Sequence, residues 1–228
     1  MSTINVNAID KESGSTLTLG GAGTTVAVHA SATTSGFDSG LASVQIFTSS
    51  GTWTKPSGIT KVKVYVTGGG GSASGSTTGT HSGGGAGTVI KFIDVSSIST
   101  ATVTVGAGGA GVGYSPTQSG NDGGDSVWSD GTNTLTGGGG SAGTSGGGEA
   151  SGLGGSATGG DLNLTGGNAS NSAGLFAGGS FWGSGSVRRD SGGEPMASRG
   201  AYGTGGASKY DAQSVDAPDG VVFVEEYK

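Results

Sequence analysis

The chain has 228 residues, of which 54 are glycine, 31% are hydrophobic, 11% are charged and none is cysteine. A formal net charge of −6 argues against a nucleic-acid or anionic-membrane partner, and the absence of cysteine excludes disulfide staples and thiolate metal sites. No apolar run approaches the roughly 20 residues that span a bilayer, and Met1-Ser2-Thr3-Ile4 lacks the charged and apolar regions of a signal peptide, so synthesis in a cytoplasm is expected.

Residues 1–43 form a Thr/Ser/Ala-rich leader. Thr16-Leu17-Thr18-Leu19 and Thr25-Val26-Ala27-Val28 alternate with period two around Gly20-Gly21-Ala22-Gly23, which reads as a small ribbon that needs another chain or a partner to hold it. Residues 44–228 form a second region of different texture. Ile46-Phe47-Thr48 leads through Gly51-Thr52-Trp53-Thr54-Lys55-Pro56 to Lys61-Val62-Lys63-Val64-Tyr65-Val66, whose alternation places Val62, Val64 and Val66 on one face. Further strands are predicted at residues 88–95, 101–105, 126–128, 134–136 and 162–164, and at Val221-Val222-Phe223-Val224. No stretch carries a helical period. The expected fold class is all-β.

Glycine tracts separate these strands. Between residues 137 and 155 glycine recurs every third residue at 137, 140, 143, 146, 152 and 155, and a shorter run does so at Gly200, Gly203 and Gly206. A period of three is that of an extended left-handed helix of the polyproline II type. Only Pro56, Pro116, Pro195 and Pro218 are present, so the glycine counterpart, a polyglycine II bundle of rods packed side by side, is predicted. Ordering each residue costs roughly 1–2 kcal/mol, glycine is the most expensive to order, and it has no side chain to bury. Nearly every rod amide therefore needs a partner. The same composition fits a flexible linker, but the strand signals punctuating the tracts favour order.

No pattern points to catalysis, a metal or a cofactor. Gly106-Ala107-Gly108-Gly109-Ala110-Gly111 matches GxGxxG, yet the following Val112-Gly113-Tyr114-Ser115-Pro116 cannot supply the helix that a dinucleotide needs. Asn121-Asp122-Gly123-Gly124-Asp125 lacks the alternating ligands and closing glutamate of a calcium loop and reads as a turn. His29 and His81 have no partner at metal-ligand spacing, and Asp125, Asp130, Glu149 and Glu194 form no defined carboxylate pair. The side-chain-bearing insertions between glycine tracts are the better candidates for binding: His81, Tyr114, Arg188, Arg189 and Arg199 (with Asp190 and Glu194), and Tyr202, Lys209 and Tyr210 (with Asp211). If the rods pack in parallel, these segments are loops at the lattice ends, where binding usually resides; simple solvated turns are the alternative. Phe176, Phe181 and Trp182 are expected to plug the packed end of the lattice.

Several of these stretches, in order, carry a resemblance. Phe47-Thr48-Ser49-Ser50-Gly51-Thr52-Trp53-Thr54-Lys55-Pro56 precedes Lys61-Val62-Lys63-Val64-Tyr65-Val66-Thr67-Gly68-Gly69-Gly70-Gly71. Thr102-Val103-Thr104-Val105-Gly106-Ala107-Gly108-Gly109, Thr134-Leu135-Thr136-Gly137-Gly138-Gly139-Gly140 and the terminal Asp219-Gly220-Val221-Val222-Phe223-Val224-Glu225-Glu226-Tyr227 follow. Together they resemble the glycine-rich domain at the ends of bacteriophage tail fibres, and Ile4-Asn5-Val6-Asn7-Ala8-Ile9 looks like the start of virion structural proteins of marine phages. The resemblance implies a non-enzymatic virion protein assembled in a host cytoplasm, a homotrimer whose tip carries host-binding loops on a polyglycine II sandwich. Its partners would be a host outer-surface protein or glycan and, through residues 1–43, other virion proteins. The chain has no long coiled coil or β-helical shaft, which leaves open a purely structural decoration of capsid or tail. An enzyme degrading surface polysaccharide is a third reading.

Overall fold

The computed structural model describes residues 40–75, 81–113, 116–145, 150–170, 176–187, 201–207 and 214–228. Their regular elements are all strands: β1 (Leu41–Phe47), β2 (Gly51–Thr54), β3 (Lys61–Thr67), β4 (Thr88–Asp94), β5 (Thr100–Thr104), β6 (Ser126–Ser129), β7 (Thr134–Gly137), β8 (Ala157–Thr158), β9 (Leu162–Leu164) and β10 (Val221–Tyr227). They form two five-stranded sheets, β1-β10-β3-β4-β9 and β2-β5-β6-β7-β8, antiparallel throughout. The described residues contain no helix, as the missing helical period predicts. β1 takes in Leu41–Phe47, so three residues that composition alone assigns to the leader belong to this strand, and two of them, Leu41 and Ser43, pair with β10.

The period-two alternation puts one face of each sheet into a common core. Val62, Val64 and Val66 of β3 meet Val89 and Ile93 of β4 and Val222 and Val224 of β10. The other sheet contributes Trp53, Ala101, Val103, Trp128 and Leu135. The two indoles are the largest core side chains, with ring centroids 5.2 Å apart and planes tilted by 49°. Fully burying an aliphatic side chain stabilises by about 1.5–3 kcal/mol, and this sandwich supplies the hydrophobic stabilisation that glycine cannot. Glu226 lies on the inner face of β10, fully buried. Its Oε2 accepts from Ser43 Oγ, and its Oε1 accepts from Gln45 Nε2 at 2.7 Å and from Trp53 Nε1 at 2.7 Å. One carboxyl group thus ties β1 and β2 to β10.

On the outer face of the first sheet, the register aligns Ile46, Phe223, Tyr65, Ile90 and Leu162 in one row across all five strands. Phe181 and Trp182 close over this row. Their ring centroids lie 6.0 and 6.1 Å from that of Tyr65, and Trp182 Nε1 donates to Thr67 Oγ1 at 2.8 Å. The pair was expected to plug the end of the glycine bundle. Instead, aromatic surface on Tyr65 and Phe223 and a hydroxyl acceptor on Thr67 draw it onto the sheet.

Between strands the glycine segments run out from the sandwich and back. Successive amides of one segment leave toward different neighbours: Gly69 N–H donates to Gly124 O at 2.9 Å, Gly70 to Pro218 O at 3.0 Å and Gly71 to Gly84 O at 3.0 Å. Partners then repeat every third residue. Gly68 and Gly71 bond Gly87 and Gly84, Gly69 and Ser72 bond Gly124 and Asn121, and Gly83 and Ala86 bond Gly206 and Gly203. Such spacing leaves no room for side chains facing a neighbour. A Cβ on Gly70 would lie 1.9 Å from Thr204 O, one on Gly84 2.0 Å from Leu153 O, and one on Gly139 2.0 Å from Gly123 O. The shorter glycine run behaves differently: Gly203 turns the chain at φ +67, and a Cβ on Gly206 would meet nothing nearer than 3.3 Å.

Candidate functional site

The glycine segments at residues 68–75 and 81–87 lie between β3 and β4, those at 106–113 and 116–125 between β5 and β6, and those at 138–145 and 150–156 between β7 and β8. Hydrogen bonds join the outer parts of these segments into a rim. Ser74 N–H donates to His81 O and Gly75 N–H to Gln118 O, both at 2.9 Å. Ser145 N–H donates to Ser119 Oγ at 3.1 Å, and Thr144 N–H to Ala150 O at 2.9 Å. Ser170 N–H donates to Phe176 O at 2.9 Å, Phe176 bridges to Val187, and Ser214 N–H donates to Val112 O at 2.9 Å. An open depression of about 510 Å³ lies on this rim, lined by Gly111, Val112, Gly113, Ser214, Val215 and Asp216.

The family profile of the glycine-rich domain matches residues 43–225. The chain belongs to the glycine-rich domain family. A search of curated proteins returned no match. The matched stretch begins in β1 and ends in β10, and these strands are hydrogen-bonded neighbours with Val44 opposite Glu225. The glycine-rich domain therefore comprises both sheets and the whole lattice, closed by the pairing of its two ends.

Of the residues singled out for binding, this glycine-rich domain describes two. His81 is only 8% exposed, so its ring leaves the solvent-facing position that its Ser/Thr-rich surroundings suggest. Its backbone N–H donates to Ser74 Oγ at 2.8 Å and closes the base of the first excursion. Tyr202 is half-buried on a turn, and its carbonyl accepts from Ser180 Oγ at 2.5 Å. Tyr114, Arg188, Arg189, Arg199, Lys209 and Tyr210 lie outside the described residues. Gly113 and Pro116 flank Tyr114, Ala207 and Ser214 flank Lys209 and Tyr210, and Val187 and Ala201 flank the arginines; Ala201 lies beside the sheet end, since the next two residues, Tyr202 and Gly203, bond Ser180 and Asp219. Among the described residues no group of three or more His, Asp or Glu side chains could hold a metal ion.

Four aspartates of the glycine-rich domain have a role that sequence reasoning missed. Asp219 and Asp216 accept from the N–H groups of Gly108 and Gly111, each at 2.7 Å. Asp125 and Asp122 accept from Gly139 at 2.9 Å and Ala142 at 2.7 Å. Both pairs are three residues apart and face amides three residues apart, the same repeat as the backbone lattice. These carboxyl groups occupy places where a further rod would otherwise accept the bonds. The stretch 121–125 is accordingly a lattice segment and not the turn that its Asn-Asp-Gly composition predicts. The signal was present in the Asp-x-x-Asp spacing, but it acquires meaning only once the facing rod is known.

Asp130 does close a turn, between β6 and β7, with Gly131 beside it at φ +88. Burial pushes its carboxyl up, and bonds from the backbone N–H groups of Asn133 and Thr132 and the side chains of Asn133 and Trp128 outweigh this and hold it below the ordinary carboxylate range. A depressed folded-state value means that the stabilisation is complete above the unfolded-state value of about 3.9 and fades as pH falls through the folded-state value. Asp130→Asn is therefore expected to destabilise the domain at neutral pH, with the gap to the wild type narrowing as the pH drops below about 4. Urea unfolding across that range checks this; a gap independent of pH would refute it.

Proposed function

We propose that this protein is a virion fibre or tip adhesin that recognises a receptor on a host cell surface, with the lattice rim as its recognition surface. The observation that supports this reading is the hydrogen-bonded rim at which Ser74, Gly75, Gln118, Ser119, Thr144 and Ser145, from three separate glycine segments, meet. Segments rich in side chains are thereby mounted on a scaffold that has almost none. All three arginines of the chain, Arg188, Arg189 and Arg199, belong to one of these segments, and Tyr114, Lys209 and Tyr210 to two others. Such residues suit anionic and apolar features of a glycan or an outer-membrane protein, and repetition of the tip on a particle would add weak contacts through multivalency. The bonding period of three residues supports reading the glycine segments as polyglycine II rods. Residues 1–43 would attach the tip to other virion proteins.

The test compares particles carrying Tyr114→Ala, Tyr202→Ala and Tyr210→Ala together, or Arg188→Ala, Arg189→Ala and Arg199→Ala together, with the parent. Adsorption to host cells is expected to fall about tenfold or more, consistent with loss of several recognition contacts, while the circular dichroism of the purified chain stays unchanged. Unchanged adsorption in both sets removes the rim from recognition. A position of the chain within the capsid lattice, seen by imaging the particle, would favour the architectural reading.

A further inference from the structure

The two sheets have four edges, and three of them are guarded. β9 has three residues, β2 four and β8 two, each too short to template a strand. Beside β9, Asp161 also occupies the open edge of β4: its Oδ2 accepts from Phe92 N–H at 3.0 Å and its Oδ1 pairs with Lys91 Nζ at 3.3 Å. The fourth edge, β1, is seven residues long and reads LASVQIF. It carries no charge and no proline, the usual protections of an edge strand. Its side chains Leu41, Val44 and Ile46 are 57%, 42% and 57% exposed. This strand is also held in place from within, since Ser43 and Gln45 bond the buried Glu226. An edge already fixed in strand geometry loses little further freedom when it accepts a partner strand.

We propose that β1 pairs antiparallel with β1 of a second copy of this chain, joining two five-stranded sheets into one continuous sheet across a two-fold axis. A second copy is favoured because the strand matches itself. With the axis at Gln45, Val44 faces Ile46 of the partner subunit on the outer face, and Ile46 faces the partner's Val44. Gln45 faces its own equivalent, and Ser43 faces the partner's Phe47. This register uses only the regular part of the strand, leaving out the irregularity between Leu41 and Ser43. No charge in β1 meets a like charge, and opposite residues share a face as antiparallel pairing requires. Pairing consumes the one long open edge among the described residues in both copies, so the assembly closes at two and does not grow through a sheet edge. The result differs from the three-fold assembly that the tail-fibre resemblance implies.

Sedimentation equilibrium of the full chain tests this. The wild type is expected to sediment as a dimer that dissociates on dilution. The double variant V44K/I46K sets like charges opposite each other twice and is expected to raise the dissociation constant by about tenfold or more. V44K/I46E sets opposite charges across the axis in the same register and is expected to bring the constant back to within about threefold of the wild type. Tryptophan fluorescence of both variants should match the wild type, since the substituted side chains are exposed. A wild-type chain that is monomeric or trimeric, a dimer indifferent to V44K/I46K, or equal weakening by the two double variants would each overturn the proposal.

Discussion

Gly143→Ala is expected to remove a large part of the domain's stability, although it adds a single methyl group. A Cβ at this position would lie 1.9 Å from the carbonyl oxygen of His81 and 2.5 Å from its carbon. Both atoms belong to backbone, so no rotamer change relieves the overlap. The segments must separate by more than an ångström, which breaks the bond from Gly143 N–H to Ser72 O and that from Gly120 N–H to Gly143 O, both 2.9 Å, and strains that from Ser74 N–H to His81 O. Two or three bonds at about 0.5–1.5 kcal/mol each, plus lost packing and unsatisfied buried groups, bring the expected loss to about 4 kcal/mol or more. A domain stable by about 5–15 kcal/mol would lose a large part of its margin. Two controls separate this steric cause from the general effect of removing glycine. A Cβ on Gly113 would meet only Gln118 Nε2 at 3.9 Å, so Gly113→Ala should change stability by no more than about 0.5 kcal/mol. Gly131 has open space but φ +88, and Gly131→Ala should cost about 1 kcal/mol through backbone strain alone. Equal urea midpoints for the Gly143 and Gly113 variants would contradict the close packing of the rods.

Glu226→Ala should be comparably damaging, and Glu226→Gln should not. The alanine variant removes the acceptor of three donors at once: the indole of Trp53, the amide of Gln45 and the hydroxyl of Ser43. Glu226 and Trp53 are fully buried, whereas Ser43 is exposed and Gln45 half-buried, so water can replace two of the bonds but not that from the indole. The orphaned indole N–H costs about 1–3 kcal/mol and the cavity left by the side chain adds to it, which gives an expected loss of about 2–4 kcal/mol. In the glutamine variant one carbonyl oxygen keeps the bonds from Trp53 and Gln45. The new N–H₂ then donates to Ser43 Oγ, because a serine hydroxyl accepts as readily as it donates. A loss of about 1 kcal/mol or less is expected. Unfolding followed by tryptophan fluorescence reads both variants, since Trp53 reports directly on the cluster. Similar losses for alanine and glutamine would mean that the donors are not what the carboxyl group serves.

The sheets were legible in the sequence because alternation of period two survives in short windows. Val62, Val64 and Val66 face the core as their spacing predicts, and the terminal Val221-Val222-Phe223-Val224 stretch is the start of β10. Pairing was not legible. Nothing near Leu41 announces that it belongs opposite Tyr227, a neighbour separated from it by almost the whole described chain. Nothing in the sequence marks Glu226 as buried, since its three donors come from residues 43, 45 and 53. Phe181 and Trp182 read as plugs of the glycine bundle because their neighbours in sequence are glycines, whereas their neighbours in space are Tyr65 and Phe223. The Ser/Thr-rich surroundings of His81 suggest a surface residue, whereas its ring is buried.

The candidate site divides in the same way. That the side-chain-rich insertions alternate with glycine tracts is a property of the chain order and needs no coordinates. That glycine segments far apart in the chain meet at one rim depends on how many of them pack around each other and in which direction. Composition and spacing by themselves determined that strands would alternate with extended, closely packed glycine, because the allowed backbone conformations and the period of apolar side chains are local properties. Only the tertiary structure decided which amide meets which carbonyl, which carboxyl group is buried and which sheet edge is left open. Those choices rest on backbone contacts between segments far apart in the chain, and glycine, having no side chain, leaves no mark of its partner in the sequence.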